Sequence, residues 1–187
     1  ASPVESEAPF RRDRLTLAMY GHLAVYGFFL FVFGPVQPLL RDEQGTSRTV
    51  AGLHGTALAL GAIIAGLLNT RIGHRYGPER ASWIGITVAG VGMIDLIAFR
   101  SLTFTLLGAL ITGVGGSVAI ISSTSVVHEH LPAQQAEKAL TEANAVASLS
   151  GAAGTTLVGL LVVSRFGWRS TFIVALIGMV LVRVFIY

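Results

Sequence analysis

Residues 103–127 read TFTLLGALITGVGGSVAIISSTSVV, a run of 25 residues without a charged side chain. A helix needs about 20 mostly apolar residues to cross the hydrocarbon core of a bilayer, so this segment is long enough to span it. The rest of the chain has the same character, because 52% of its 187 residues are hydrophobic and only 12% are charged. Soluble domains carry roughly 25% charged residues. The composition therefore predicts an integral membrane protein.

Five further apolar segments lie between charged and turn-forming residues. The six predicted spans cover residues 15–38, 49–69, 82–99, 103–127, 140–163 and 170–187. Segments of this length are not barrel strands, which alternate over about ten residues. We therefore expect an all-α, polytopic bundle of six transmembrane helices over residues 15–187, preceded by a polar cytoplasmic segment at residues 1–14.

The distribution of Lys and Arg predicts how the bundle is oriented, since cytoplasmic loops carry an excess of both. With the N-terminus inside, the inner segments hold seven of these residues and the outer loops hold five. We expect an inner (plasma) membrane protein with both termini in the cytoplasm. The formal net charge of +3 is explained by the flanking arginines and needs no nucleic-acid partner. The chain has no cysteine, which excludes disulfides and thiolate metal sites, and we expect neither a metal nor a cofactor.

Two segments of the chain have similar sequences. Residues 66–75 read GLLNTRIGHR, and residues 159–169 read GLLVVSRFGWR. Both contain GLL, a short spacer and the pattern R-x-G-x-R. A duplicated three-helix unit would explain this, and because three is odd the two units would form an inverted repeat. The alternative is coincidence in a chain rich in Gly and Arg.

The same two segments carry a resemblance to a known family. The first is similar to the signature G-x-L-A-D-R-x-G-R-K, and the second continues into a pattern similar to GWRxxF. The matching residues are Gly66, Leu68, Asn69, Thr70, Arg71, Gly73, His74 and Arg75, and then Gly167, Trp168, Arg169 and Phe172. Both signatures are typical of the major facilitator superfamily. The resemblance implies the N-terminal six-helix half of a secondary transporter that moves a small solute by alternating access.

The resemblance also implies an inner gate after span 2. Its predicted residues are Gly66, Thr70, Arg71, Gly73, Arg75 and, at the inner end of span 4, Glu129. Thr70 replaces the aspartate of the signature, so the carboxylate that would hold this segment against the facing half is missing. We expect Arg71 to pair with Glu129 in the state that is closed to the cytoplasm. The alternative is that both face solvated headgroups, where an exposed pair contributes about 0–1 kcal/mol.

One face of span 1 carries polar and aromatic side chains at helical spacing. These are His22, Tyr26, Phe29, Phe33 and Gln37. Polar groups inside a membrane normally face a bundle interior or a cavity, so this face is predicted to bind substrate. The alternative is an ordinary packed core around a hydrogen-bonded histidine. An imidazole that titrates near neutral pH would also suit coupling to protons.

Spans 4 and 5 add four candidate substrate-binding residues, which are Thr112, Ser123, Glu142 and Asn144. Hydroxyls in a helix either line a path or bond back to a carbonyl one turn earlier. Glu142 either faces the path or lies at the level of the headgroups.

Spans 2 and 5 each carry a stripe of small residues, a pattern that lets helix backbones approach closely. The stripes are Gly55, Ala59, Ala62 and Gly66, and Ser148, Ala152, Thr155 and Gly159. The resemblance places both helices against a second six-helix half, whereas packing inside the bundle is the alternative. The second half would be the C-terminal half of a longer chain, which the abrupt end at Tyr187 favours, or a second copy in a parallel homodimer.

Two other functions compete with transport. One is a non-transporting membrane scaffold or receptor. The other is an intramembrane serine protease that uses Ser117, which follows two glycines. The last two spans contain no histidine to activate such a serine, so we do not expect an enzyme.

Overall fold

The computed structural model describes residues 10–186, and every regular element within them is helical. The helices are α1 Arg14–Gln44, α2 Arg48–Tyr76, α3 Pro78–Ala98, α4 Leu102–His130, α5 Ala133–Val162 and α6 Ser170–Leu181, the last continuing as a π-helical turn, Val182–Ile186. The first five are long and apolar enough to cross a membrane, and Ser170–Ile186 is a shorter apolar helix. The all-α polytopic fold is thereby confirmed. Following the predicted orientation, we call the end at which α1 begins the inner end of the bundle.

Several helices extend beyond the predicted spans. Helix α2 continues to Tyr76, past the predicted end at residue 69, and Gly77 with φ +79° is the whole connection to α3. The gate segment is therefore the last part of a helix and not a loop. Polar side chains outside the hydrocarbon core do not stop a helix, whereas a glycine at positive φ followed by proline does.

Side-chain caps fix where the first two helices begin. The Asp13 carboxylate accepts the backbone N–H of Thr16 at 2.8 Å, and the Ser47 hydroxyl accepts that of Val50 at 3.2 Å. Each bond satisfies one of the N–H groups that a helix start leaves without an intrahelical partner. Gly45, with φ +62°, ends α1 just before the second cap.

Each predicted repeat packs one of its helices against a helix of the other repeat. Helix α2 lies along α4, and α5 lies along α1. Gly61 of α2 is buried against the backbone of Leu110 on α4, and Gly154 of α5 is buried against Phe28 on α1. Both glycines stand five residues before the glycine of a GLL segment. Equivalent positions of the two repeats thus make equivalent close contacts.

Helix α1 runs through the middle of the core. Phe29 and Val32 are fully buried in a cluster that includes Met93 of α3 and Phe172 of α6. A second cluster at the inner end joins Met19 to α4 and α5. Helix α1 is therefore covered on most sides up to Phe29, whereas its outer half has an exposed face that includes Phe31 and Pro35.

Candidate functional site

The predicted substrate face of span 1 lies mostly inside this bundle. His22, Tyr26, Phe29 and Phe33 are each at most 3% exposed. The Phe29 ring centroid lies 5.3 Å from that of Phe33 and 5.6 Å from that of Phe172 on α6. These four side chains therefore form the core between α1 and the helices around it, which is the alternative that the sequence left open.

His22 is held in a buried polar cluster where α1, α3 and α4 meet. Its Nδ1 lies 2.7 Å from the Ser82 hydroxyl, which is in turn 2.6 Å from the Ser123 hydroxyl. The edge of its ring meets Trp83 with the centroids 4.3 Å apart. Ser123, a predicted substrate residue, thus serves this cluster. Ser82 was not predicted as a site residue, although its hydroxyl stands at the start of the apolar run of α3.

Gln37 is separated from His22 by fifteen residues of one helix, which is about 22 Å at 1.5 Å per residue. A small solute does not reach both at once. Gln37 is half-buried and lines a cavity of about 430 Å³ with Gly34, Arg41 and Arg48. Its amide nitrogen lies against Gly55 of α2. Gln37 therefore opens onto the small-residue stripe of α2.

Glu142 and Asn144 lie on α5 but face different surroundings. The Glu142 carboxylate accepts two hydrogen bonds of 2.8 Å from the Arg12 guanidinium and one of 3.1 Å from the Tyr20 hydroxyl. Because Arg12 precedes α1, this pair lies at the inner end of the bundle. This agrees with the alternative in which Glu142 lies at the level of the headgroups. The Asn144 side chain is exposed on the outside of α5, one turn before Ser148.

Thr112 is fully buried, and its hydroxyl donates to the Gly108 carbonyl one turn earlier at 2.7 Å. It also packs against Gly92 of α3. Both contacts lie within the bundle, so this hydroxyl does not open onto a cavity. Of the two roles considered for a hydroxyl in a helix, Thr112 has the one in which the hydroxyl bonds a carbonyl one turn earlier.

A second buried histidine, which the sequence did not single out as a site, lies toward the outer end. His54 Nε2 is 2.8 Å from the Thr105 hydroxyl of α4, and its Nδ1 is 3.1 Å from the Ala51 carbonyl. The Gln44 amide of α1 donates to the same Thr105 hydroxyl at 2.8 Å. This network joins the ends of α1, α2 and α4. No local sequence pattern reveals it, since each helix contributes one polar residue.

The predicted gate residues occupy the exposed inner end of α2. Gly66, Thr70, Arg71 and Arg75 are all exposed, and Gly73 is half-buried. Among the ion pairs of residues 10–186 there is none between Arg71 and exposed Glu129. Pairing of the two in the closed state stays a prediction.

Glu129 nevertheless shares a small cavity of about 220 Å³ with Thr70, Gly73 and His74. Close by, the Ser122 hydroxyl of α4 donates to the Asn69 amide oxygen at 3.0 Å. The inner ends of α2 and α4 are thus joined by a neutral hydrogen bond. Helix α2, which carries the signature of residues 66–75, therefore lies next to Glu129.

The other repeat places its arginine in a different situation. Arg169, equivalent to Arg75, is 14% exposed and donates to Glu43 of α1 at 3.1 Å and to the Leu96 carbonyl of α3. Arg100 also lies 3.3 Å from Glu43. We call Glu43, Arg100 and Arg169 the outer arginine cluster. It ties α1, α3 and the start of α6 together at the outer end.

The two stripes of small residues are not covered by this chain. Ala59, Ala62 and Gly66 of α2 are exposed, and so are Ala152 and Gly159 of α5. A methyl group added at Gly66 or Gly159 meets no atom within 4 Å. These exposed members of the stripes therefore do not serve packing within the bundle, whereas Gly55 and Thr155 are half-buried.

Comparison with known proteins identifies this architecture. A family model described as Major Facilitator Superfamily matches residues 21–187. The chain belongs to the Major Facilitator Superfamily. The match covers both repeats, so it includes the gate segment, the outer arginine cluster and both uncovered stripes.

Curated members of the superfamily resemble parts of this chain. A gentisate transporter of Corynebacterium glutamicum is 28% identical over 151 residues, which is 81% of this chain and 33% of that protein. The drug efflux pump JefA of Mycobacterium tuberculosis is 29% identical over 171 residues, or 87% of this chain and 32% of the pump. The chain therefore spans about a third of the length of the curated relatives that it matches.

These matches decide between the functional classes that the sequence left open. The relatives are named as a gentisate transporter and a drug efflux pump, so the matches favour the transporter class over an enzyme. Among the histidine hydrogen bonds of residues 10–186, none joins Ser117, the candidate protease nucleophile. Within residues 10–186 there is also no group of three or more metal-binding side chains.

Proposed function

We propose that this chain forms the N-terminal six-helix half of a secondary active transporter that moves a small solute by alternating access. The observation that carries the proposal is the pair of uncovered small-residue stripes on α2 and α5, which occupy equivalent places in the two repeats. Small residues on a membrane helix let another helix approach closely. If only lipid covered the stripes, their small residues would not bring any helix closer.

A second six-helix half then covers the stripes. The two halves of such transporters are related by an axis along the membrane normal, and the solute binds between them near mid-membrane. The relatives are about three times as long as the matched segment, which favours the C-terminal half of a longer chain. A second copy in a parallel homodimer has the same geometry.

Among the predicted substrate residues, we assign Gln37 to the outer part of the solute path and Asn144 to its inner part, so that a small solute contacts them in turn. Gln37 lies against Gly55 of the α2 stripe, and Asn144 lies one turn before Ser148 of the α5 stripe. Both therefore face the volume that a second half encloses. The buried members, His22, Tyr26, Phe29, Phe33, Thr112 and Ser123, hold α1 and α4 in place behind that surface.

We also assign the inner gate to the end of α2, with Arg71 and Arg75 facing Glu129. In this assignment the protein lies in the inner membrane with both termini in the cytoplasm. Cysteine labelling from each side of the membrane tests the orientation, because the chain has no native cysteine. A cysteine at Arg75 is expected to react from the cytoplasmic side.

The transport activity is tested by reconstituting the full-length protein in vesicles and measuring counterflow of labelled gentisate and of a labelled drug, the solutes that the names of the relatives suggest. We expect counterflow of at least one solute by a particle that holds twelve transmembrane helices. Gln37→Leu should slow it without changing the melting temperature, whereas Gln134→Leu, an exposed position at the start of α5, should leave it unchanged. A stable six-helix particle that moves neither solute would contradict the proposal and favour a scaffold.

A further inference from the structure

A groove of about 580 Å³ lies between the first turns of α3 and the last turns of α6. Ligand sites in proteins typically enclose about 300–1,000 Å³. Ile86 of α3, at 2% exposure, belongs to the floor of the groove, while Ile84 of α3 and Val180 of α6 are exposed along it. The groove is separate from the small-residue stripes, because it involves neither α5 nor the membrane-spanning part of α2.

The groove is charged at one end and apolar at the other. Tyr76, Glu79, Arg80 and Arg183 lie at its mouth, where α3 begins and α6 ends. Two guanidinium groups against one carboxylate give the mouth a net positive charge. The opposite part is lined by Ile84, Thr87, Met179 and Val180, so the groove has the polarity of a phospholipid.

The groove follows about two turns of α3. From Glu79 to Thr87, the first and last α3 residues that line it, the helix rises about 12 Å. Beyond Thr87, Met179 packs against Gly90, where an added methyl group would lie 2.7 Å from the methionine methyl. The groove therefore lies within one leaflet, which is half of the hydrocarbon thickness of about 30 Å.

Trp83 forms the wall between the charged mouth and the apolar part. The Arg183 guanidinium lies 5.1 Å from the centroid of its ring. Tryptophan is enriched at membrane interfaces, where its ring lies at the level of the headgroups. This contact therefore holds the Arg183 charge at headgroup level beside Arg80.

We propose that this groove binds one acidic phospholipid, whose phosphate contacts Arg80 and Arg183 and whose acyl chain lies between Ile84 and Val180. Basic pockets between transmembrane helices on the cytoplasmic side are a recurring site for acidic headgroups. A free phosphate has the same charge but no part that would fill the apolar groove. The lipid is therefore the occupant that matches both ends.

Native mass spectrometry of the full-length protein tests the proposal, with phosphatidylglycerol, phosphatidylcholine of the same acyl chains, and inorganic phosphate as probes. We expect the protein to retain phosphatidylglycerol in preference to phosphatidylcholine. Arg80→Gln and Arg183→Gln should each lower that preference by about fivefold. The matched control is the double variant Arg48→Gln with Arg165→Gln, which removes two exposed charges at the outer end and should leave the preference unchanged.

A variant that fills the apolar part keeps the test independent of the arginines. Thr87 is exposed on α3, so Thr87→Trp is expected to fold and to lower retention of phosphatidylglycerol with both arginines intact. Equal retention of the two lipids by the unmodified protein would overturn the proposal. An equal loss of the preference in the Arg48→Gln, Arg165→Gln control would also overturn it. Unchanged retention of phosphatidylglycerol by Thr87→Trp, or displacement of the lipid by inorganic phosphate, would do the same.

Discussion

Gly61 and Gly154 occupy the same position in the two repeats, and each is buried against a helix of the other repeat. Their surroundings differ in one respect that matters for substitution. An added methyl group at Gly61 would meet the backbone of Leu110 and Val114, whereas at Gly154 it would meet the side chains of Val32 and Phe28. Side chains adjust more readily than two backbones in contact.

We therefore expect Gly61→Ala to destabilise the bundle by about 1–3 kcal/mol, the usual effect of overpacking a filled interior, and Gly154→Ala to destabilise it less. The measurement is the melting temperature of the purified protein in detergent. Gly66→Ala is the matched control, because nothing lies within 4 Å of an added methyl there. Equal effects at Gly61 and Gly66 would contradict the observed packing.

The buried polar cluster gives a second prediction. Ser82→Ala removes the hydroxyl that lies 2.7 Å from His22 Nδ1 and leaves Ser123 at 3.5 Å as the remaining neighbour. A buried polar atom without a partner costs about 1–3 kcal/mol. Unfolding in denaturant should show this loss, and the double variant with His22→Phe should recover part of it. An additive double variant would mean that the two residues do not interact.

The outer arginine cluster predicts unequal effects for two arginines on the same carboxylate. Arg169 is 14% exposed and bonds both Glu43 and the Leu96 carbonyl, so Arg169→Gln should destabilise the protein by about 1–3 kcal/mol. The Arg100 side chain is 81% exposed, and Arg100→Gln should change stability by about 0–1 kcal/mol. Thermal unfolding of both variants checks the difference, and a larger effect at Arg100 would refute it.

The start of α1 predicts a dependence of stability on pH. Partial burial raises the pKa of the Asp13 carboxyl, but the hydrogen bonds from Thr16 and His130 outweigh it, and the pKa lies below its usual value. Because the folded pKa is below the unfolded one, the carboxylate stabilises the fold above the unfolded pKa, about 3.9. This stabilisation is lost as the pH falls through the folded pKa.

Asp13→Asn keeps an N-cap residue but removes this titration. The variant should be less stable than the unmodified protein at pH 6, and the difference should shrink as the pH falls below about 4. Melting temperatures over that range measure it. A constant difference at every pH would assign the effect of Asp13 to capping alone.

The proposed gate predicts rescue by charge exchange. Arg71→Glu and Glu129→Arg should each reduce transport, since each places like charges at the inner ends of α2 and α4. The double variant should restore transport if the two pair in the closed state. Arg48→Glu with Glu129→Arg, in which the first change lies at the outer end of α2, is the control exchange and should not restore transport. Loss without rescue in the first double variant would leave Arg71 and Glu129 as separate solvated charges.

The sequence predicts the number and approximate place of the helices well, because apolar runs of the required length are visible locally. It predicts their ends less well. The polar residues 70–76 look like a loop but continue α2, since only Gly77 changes the backbone direction. The segment before residue 140 is likewise the start of α5 at Ala133.

Helical spacing also predicts correctly that His22, Tyr26, Phe29 and Phe33 share one face. It does not predict what that face meets, because a solute cavity and a packed core select the same polar and aromatic residues. The partner of Phe29 is Phe172, far away in the sequence. The same limit applies to Glu142, whose partner Arg12 lies before the first helix.

The connection between α2 and α3 consists of a single glycine. Tyr76, the last residue of α2, lies at the mouth of the groove, while Arg75 before it belongs to the proposed gate. A one-residue connection is too short to let the two helices move independently. Any tilt of α2 that opens or closes the cytoplasmic entrance must therefore displace the start of α3. The composition of the surrounding membrane and the rate of solute movement are therefore expected to vary together.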